Sequence, residues 1–302
     1  MNIPTFWAHA AVDAQGDPTD LRSGYLGVGW SNTSEEDARR CALERARRIA
    51  KRIEHGEFDH PELHEQYYTD RPLREQIVDT LDVDGEQAAA ITQNIYGAYV
   101  LNASRAMFID IDRPEPAPRP RRPRPQPQGF FARLFGKPAP APPPAPPTTP
   151  QADPVDKIRE QVEKHPGMGM KVYRTPAGYR GLVTSQPYDP DADDAHALMQ
   201  AFAADRLYTT MCKAQHCFRA RLTPKPWRIG MDNPPKTFPF LDAHQRSAFE
   251  AWKQHYDQRI TGYAACEPLS HEPWGNTKVH EDIAPILAWH DQLACGLGLP
   301  LA

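Results

Sequence analysis

The segment from Arg113 to Pro150 constrains the fold more than any other part of this 302-residue chain, because 15 of its 38 residues are proline. Proline lacks a backbone N–H and has a fixed φ, so such a segment joins neither a helix nor a sheet ladder. We therefore predict a disordered Pro/Arg-rich insert over residues 113–154. It divides one α+β domain into an N-terminal part, residues 1–112, and a remainder, residues 155–302.

An apolar island, GFFARLFGK at residues 129–137, interrupts the prolines. It is too short to fold alone, and it has the pattern of a docking peptide that becomes a helical turn on a protein partner or a membrane surface. The alternative is a linker without a partner.

The overall composition limits the classes of function. A net charge of -4 with 25% charged residues excludes a dedicated basic nucleic-acid-binding domain, so any such binding must be local. Five scattered cysteines are not a disulfide framework and favour a reducing cytoplasm. Neither a charged start followed by an apolar stretch nor a window of about 18 apolar residues occurs. We expect a cytoplasmic chain without a transmembrane segment.

The N-terminal part has recognisable elements. The runs FWAHAAV and YLGVGW predict two strands. A helix follows, because Thr33 and Glu36 have capping-box spacing and apolar residues recur every three to four positions from Ala38 to Ile53. Closer to the insert, AAAITQN, GAYVLN and AMFIDID predict an antiparallel meander.

After the insert, MKVYRTPAGYRGLVTS predicts a hairpin that turns at Pro176 and Gly178. DPDADDAHALMQAFAAD predicts a helix and CFRARLTPKPWRIG an extended, strand-like stretch. DAHQRSAFEAWKQHYDQRI and APILAWHDQLA predict C-terminal helices. The order of elements indicates an α+β fold with a mainly antiparallel sheet and a helical C-terminal layer.

Asp110 and Asp112 are the candidate catalytic and metal-binding residues. Their spacing on a strand puts both on one face, about 6.6 to 7 Å apart. Two like charges on a sheet surface are unfavourable unless a cation bridges them or they reach water. Mg²⁺ or Mn²⁺ meets the first condition and leaves coordination positions for phosphates. Alternatively the strand ends here, so that Asp112 reaches water and Asp110 pairs with an arginine.

Cationic and aromatic residues on the neighbouring predicted strands are the candidates for binding phosphate or nucleic acid. Guanidinium groups bind phosphate oxygens, and an exposed ring between two cations can stack on a base. These candidates are Arg174, Tyr179, Arg180, Arg219, Arg221, Lys225, Trp227 and Arg228. The alternative is that the arginines only neutralise the acids.

The order MFIDID, TPAGYRGLVTS and CFRARLTPKPWR resembles the catalytic core of the archaeo-eukaryotic primase-polymerases, over roughly residues 88 to 230. The resemblance implies an RRM-like sheet, divalent metals held by Asp110 and Asp112, and metal-dependent nucleotidyl transfer on nucleotides or nucleic acid.

Two features depart from that family. Its second motif contains a histidine, whereas this chain has none between His165 and His196. Its third acid lies on a strand, whereas here Asp205 is expected to close a helix. These departures favour the alternative of a non-catalytic module that binds nucleic acid or a protein and carries a docking peptide in its insert.

Other sites fit the sequence less well. Dehalogenase-type phosphatases and DxD glycosyltransferases carry a similar acid pair, but Arg113 and Pro114 follow it here and no glycine-rich loop precedes it. CKAQHC offers zinc ligands in Cys212, His216 and Cys217, and a full set would also require Cys266 with His271 or His280. The alternative for CKAQHC is a helix end with one buried and one exposed thiol.

Overall fold

The computed structural model describes residues 1–56, 72–113 and 153–302. Within these ranges the chain forms six α-helices, one 3₁₀-helix and twelve strands in three sheets, and the paired strands are antiparallel. The α+β class with antiparallel sheets is confirmed, and its RRM-like description stays a prediction. Most of the predicted insert, with the docking peptide at residues 129–137, lies outside the described residues.

The first sheet packs against a long helix through small residues. Its order is β2–β1–β3. A Cβ atom at Gly29 would lie 2.1 Å from the carbonyl oxygen of Ala38, so glycine allows this close approach. The elements are β1 (Phe6–Val12), β2 (Pro18–Thr19), β3 (Tyr25–Ser31) and α1 (Glu35–Glu54). The buried residues of α1 are Ala38, Ala42, Ala46 and Ala50.

The second and third sheets hold the remaining strands. The second has the order β10–β6–β5–β4: β4 (Gln76–Val83), β5 (Glu86–Gln93), β6 (Tyr99–Ala103) and β10 (Phe218–Arg221). The third has the order β11–β8–β9–β7, with β12 also paired to β8: β7 (Phe108–Asp112), β8 (Gly169–Arg174), β9 (Gly178–Val183), β11 (Glu267–Pro268) and β12 (Trp274–Gly275). The predicted hairpin is confirmed as β8 and β9.

The helices of the second half are α2 (Pro154–Lys164), α3 (Asp193–Ala201), α4 (Arg206–Gln215), α5 (Ala243–Ile260) and α6 (Ala284–Ala294), with a 3₁₀-helix at Pro226–Ile229. Strands β7 to β10 share one apolar core with α2, α3, α4 and α6, and its largest fully buried side chains include Leu101, Phe108, Tyr173, Leu182, Met199 and Phe218. Among the helices of the described ranges, none combines the length and the apolar character needed to cross a membrane.

Three local predictions were wrong. The cap of α1 is Ser34, whose Oγ accepts from the Asp37 N–H at 3.1 Å, one residue after the expected Thr33. The run AMFIDID does not continue the meander, since β7 leaves the second sheet and pairs with β9 in the third. The extended stretch CFRARLTPKPWRIG ends as a strand at Arg221, because a proline-rich turn and a 3₁₀-helix follow.

Candidate functional site

Asp110 and Asp112 lie on β7, where the antiparallel register sets Asp110 opposite Arg180 and Asp112 opposite Gly178 of β9. Alternation along the strand directs both carboxylates to one face, and the buried Ile109 and Ile111 fill the other. The Asp110 side chain is 41% exposed and Asp112 is exposed. The acids therefore share an accessible face.

Arg180 is the buried cation next to this acid pair. Only 4% of its side chain is exposed, and its Nε lies 3.9 Å from Asp110 Oδ1. Its Nη1 donates to the Arg221 carbonyl oxygen at 2.8 Å and lies 3.3 Å from His290 Nε2. Its Nε makes no hydrogen bond within the described part of the chain. The contact with Asp110 is therefore electrostatic and leaves one guanidinium donor unsatisfied.

Three further cations join Arg180 in what we call the cation group: Arg180, Arg221, Lys225 and Arg228. Burial, with the charge of Arg180 next in importance, lowers the pKa of Arg221 to about 10. Burial and the charges of Arg221 and Arg228 also lower the pKa of Lys225. Among the described residues, Arg221 Nε and Arg228 Nη1 are buried without a hydrogen-bond partner. The group is therefore a desolvated concentration of positive charge.

Asp205 adds a third carboxylate to the acidic side of the face. Its backbone N–H donates to the carbonyl oxygen of Asp110 at 3.1 Å, and its side chain caps α4. Partial burial, followed by the carboxylates of Asp110 and Asp205, raises the pKa of Asp112. The expectation that Asp205 closes a helix was wrong: it begins α4, because its carboxylate accepts from the Tyr208 N–H at 2.7 Å.

Arg174 and Tyr179 lie on the opposite face of the third sheet. In the β8–β9 hairpin Arg174 is opposite Tyr179, whereas Arg180 is opposite Tyr173. Arg174 forms an exposed ion pair with Glu267 at 2.6 Å. Tyr179 accepts a hydrogen bond from Arg113 at 3.2 Å. Neither side chain reaches the acid pair.

Arg219 also has a separate role. Its Nη2 donates to both oxygens of Glu75 at 2.7 and 2.8 Å, and its Nη1 donates to Gln215 at 3.0 Å. Both charged side chains are less than a tenth exposed. Burial alone would lower the pKa of Arg219, but the Glu75 carboxylate raises it. Arg219 therefore belongs to a buried structural ion pair.

Trp227 lies in the 3₁₀-helix beside the cation group. The residue is 49% exposed, which makes it one of the large apolar residues left open to solvent. Lys225 Nζ lies 5.2 Å from the centroid of its ring, and Tyr96 packs edge-on against it at 5.2 Å. These two contacts fix the position of the ring, while about half of the residue remains exposed to solvent.

A second cluster lies on the other side of Arg180 from Asp110, against Phe108 and Tyr173 of the same sheet face. We call it the thiol cluster: Cys266, His290 and Cys295. Within the described ranges it is the one group of three His, Cys, Asp or Glu residues whose ligand atoms all lie within 4.8 Å of one another. Asp110, Asp112 and Asp205 do not form such a group, so a divalent metal at the acid pair would also need ligands from water or substrate.

Hydrogen bonds organise the thiol cluster. His290 Nδ1 lies 2.9 Å from Asp291 Oδ1, which also accepts from the Tyr173 hydroxyl at 2.6 Å. The Cys295 thiol and His290 lower the pKa of Cys266 well below its usual range. Burial opposes protonation of His290, but Asp291 and Cys266 raise its pKa. The two pKa shifts have opposite directions, so each group favours the charged form of the other.

Sequence patterns did not identify the thiol cluster. Cys266 is 24 and 29 residues from its partners, too far apart for a local spacing pattern to connect them. The zinc alternative at CKAQHC is not formed, since His216 pairs with Asp191 at 2.5 Å. Cys212 and Cys217 are both buried, so the expectation of one exposed thiol was wrong.

Comparison of the chain with known protein families, with curated proteins and with solved structures finds no match.

Proposed function

We propose that the face formed by the cation group and the acid pair binds the phosphates of a nucleotide or a nucleic acid. The observation that carries the proposal is the set of buried guanidinium nitrogens on Arg180, Arg221 and Arg228 that have no hydrogen-bond partner among the described residues. Three such donors on one electrostatically coupled group are rare in a folded protein, because buried polar groups are normally satisfied.

Phosphate matches the chemistry of these donors. An unpaired buried cation is unfavourable, and an anionic oxygen acceptor relieves that cost with a charge-assisted hydrogen bond. A phosphate group presents several acceptor oxygens, and arginine binds them in a planar, two-point geometry. Burial, and after it the repulsion by Arg180, lowers the pKa of Arg221 to about 10, and a bound anion would offset both effects.

Trp227 favours a ligand that carries a base over inorganic phosphate alone. Its ring is half exposed next to Lys225, and stacking of a base on an aromatic ring is tolerant of sequence. Lys225 would contact the phosphate of the same nucleotide. A single strand or a nucleoside triphosphate satisfies both contacts.

The test measures binding of a labelled single-stranded oligonucleotide and of a nucleoside triphosphate by fluorescence anisotropy. Arg221→Met and Lys225→Met should each weaken binding about tenfold, because a charge-assisted hydrogen bond contributes about 1.5–3 kcal/mol. Each should also reduce the slope of log affinity against log salt by about one.

Arg174→Met is the matched control, because it removes the same charge from the face of the third sheet opposite to the one that carries Arg180. The affinity of this variant for the oligonucleotide and for the triphosphate should stay within about twofold of the wild type, because Arg174 lies away from the proposed binding face. Loss of its exposed ion pair with Glu267 should also change the stability little. An equal loss in Arg174→Met and Arg221→Met would mean that binding depends on net charge rather than on this face. Circular dichroism of each variant checks that the fold is retained.

A second candidate is metal-dependent nucleotidyl transfer at the same face. The approach of Asp205 to Asp110 and Asp112 favours it, since it adds a third carboxylate to the pair, although from the N-cap of α4 and not from a strand. Asp110 and Asp112 would hold Mg²⁺ or Mn²⁺, and the cation group would hold phosphates while charge develops on them.

Replacing both acids with asparagine separates the two candidates. The double variant Asp110→Asn with Asp112→Asn should abolish Mn²⁺-dependent nucleotide incorporation if the acids hold the metal, while phosphate binding is kept or tightened because negative charge is removed. Asp82→Asn, on an exposed position of β4, is the matched control. Incorporation that is equal in the wild type and the double variant would exclude catalysis at these acids.

A further inference from the structure

We propose that the thiol cluster binds one zinc ion, with Cys266, His290 and Cys295 as its protein ligands. Two sulfurs and one imidazole nitrogen meet within 4.8 Å of one another at the junction of α6 with the segment before β11. Thiolate and imidazole are the ligands that zinc prefers in proteins. This site uses none of the acids and, except for a contact with Arg180, none of the residues of the proposed phosphate face.

The distances suit a tetrahedral ion. Two sulfurs bound at about 2.3 Å to a tetrahedral zinc lie about 3.7 to 3.8 Å apart. Cys266 Sγ and Cys295 Sγ are 3.7 Å apart. Cys266 Sγ and His290 Nε2 are 3.9 Å apart, against about 3.5 Å expected around zinc, so a shift of a few tenths of an ångström completes the geometry.

The surroundings of His290 match those of a metal-bound histidine. Its Nδ1 lies 2.9 Å from the Asp291 carboxylate, which the Tyr173 hydroxyl fixes from the other side. A carboxylate that accepts from Nδ1–H sets the tautomer in which Nε2 carries the lone pair. That nitrogen points at the two sulfurs. Carboxylate–histidine–metal arrangements of this kind are general in zinc proteins.

The backbone already holds the ligands together. Cys266 and Cys295 form an isolated parallel β-bridge, and the Cys266 N–H donates to the Ala294 carbonyl at 3.2 Å. Cys295 directly follows α6, which carries His290. A zinc ion here would join the C-terminal helix to the third sheet, and little chain entropy would be lost on binding because the ligands are preplaced.

Arg180 is the group that must adjust. Its Nη1 lies 3.3 Å from His290 Nε2, the nitrogen that would bind the metal, but it also donates to the Arg221 carbonyl oxygen at 2.8 Å and can keep that bond. Zinc with two thiolates and one neutral imidazole has no net charge, so the guanidinium is not repelled by the complex as a whole. Three protein ligands leave a fourth position for water.

The experiment uses the full chain and metal alone as the probe. Protein purified from zinc-supplemented medium should contain one zinc per chain by plasma mass spectrometry. After chelation, Co²⁺ should produce a thiolate-to-cobalt charge-transfer band, and one equivalent of Zn²⁺ should remove it. Cys266→Ser and Cys295→Ser should lose the band. Asp291→Asn should keep it with affinity reduced about 10–100-fold, because it orients the histidine without binding the metal.

Cys212→Ser is the matched control, because Cys212 is also buried but lies outside the cluster. It should retain both the zinc and the cobalt band. A folded wild-type chain that yields neither would overturn the proposal, whatever the variants do. A disulfide between Cys266 and Cys295 in the purified chain would also overturn the proposal. It would be detected as three alkylatable thiols in place of five and as a mass lower by two hydrogens.

Discussion

Arg219 and Arg221 are two residues apart on β10, and so extend from the same face of one strand, yet their surroundings are opposite. Arg219 has a complete set of acceptors in Glu75 and Gln215. Arg221 has a buried Nε without a hydrogen-bond partner among the described residues, and its neighbours include two other arginines. The pKa of Arg219 is raised, whereas that of Arg221 is lowered to about 10.

The difference distinguishes an arginine whose ion pair belongs to the folded structure, Arg219, from one whose burial is unfavourable in the free protein, Arg221. The charge of a buried guanidinium that is paired with a carboxylate is already compensated, so a ligand anion could bind there only by displacing that carboxylate. A buried guanidinium without one is destabilising in the free protein and gains most from an incoming anion. Basic residues on one strand therefore cannot be assigned one role from their spacing.

The largest effect in this comparison is expected for Glu75→Gln. The substitution keeps the shape of the side chain but leaves the Arg219 charge buried without a counter-ion, and breaking a buried pair in this way typically costs about 3–5 kcal/mol. Urea unfolding followed by circular dichroism should therefore give a free energy of unfolding lower by about 3 kcal/mol.

Removing both charges provides the control. The double variant Glu75→Gln with Arg219→Met should recover a large part of the lost stability, because no uncompensated charge remains. If Glu75→Gln alone were as stable as the wild type, the ion pair would not be a structural element, and the contrast between the two arginines would lose its basis.

The sequence was sufficient for elements with strong local patterns. The apolar runs in β1 and β3, the turn residues between β8 and β9, and the apolar spacing in α5 and α6 predicted those elements correctly. No strand was predicted over β4, whose few apolar positions are interrupted by Asp79 and Asp82. α4 was anticipated only at its end, in CKAQHC, since its apolar stripe is short.

The candidate site was predictable only where it is local. Alternation on β7 set Asp110 and Asp112 on one face, as the sequence predicted. Arg174 was grouped with Arg180 because both are basic. In the hairpin, however, Arg174 is paired with Tyr179, the residue next to Arg180, so the two arginines extend from opposite faces of the sheet. The partner of Arg219 lies 144 residues earlier in the chain, in a segment without an apolar pattern. Only the three-dimensional structure brings such residues together.

The smallest effect on stability is expected for Arg221→Met, which tests whether the fold depends on the second of the two arginines. Its unfolding free energy should stay within about 1 kcal/mol of the wild type or rise, because the substitution removes a buried, repelled charge and keeps the apolar stem in place. Arg219→Met, the same substitution two residues away, should destabilise by several kcal/mol because it leaves Glu75 unpaired. Equal losses in the two variants would contradict the distinction. A variant that keeps its stability but loses phosphate binding would identify Arg221 as a residue retained for a ligand rather than for the fold.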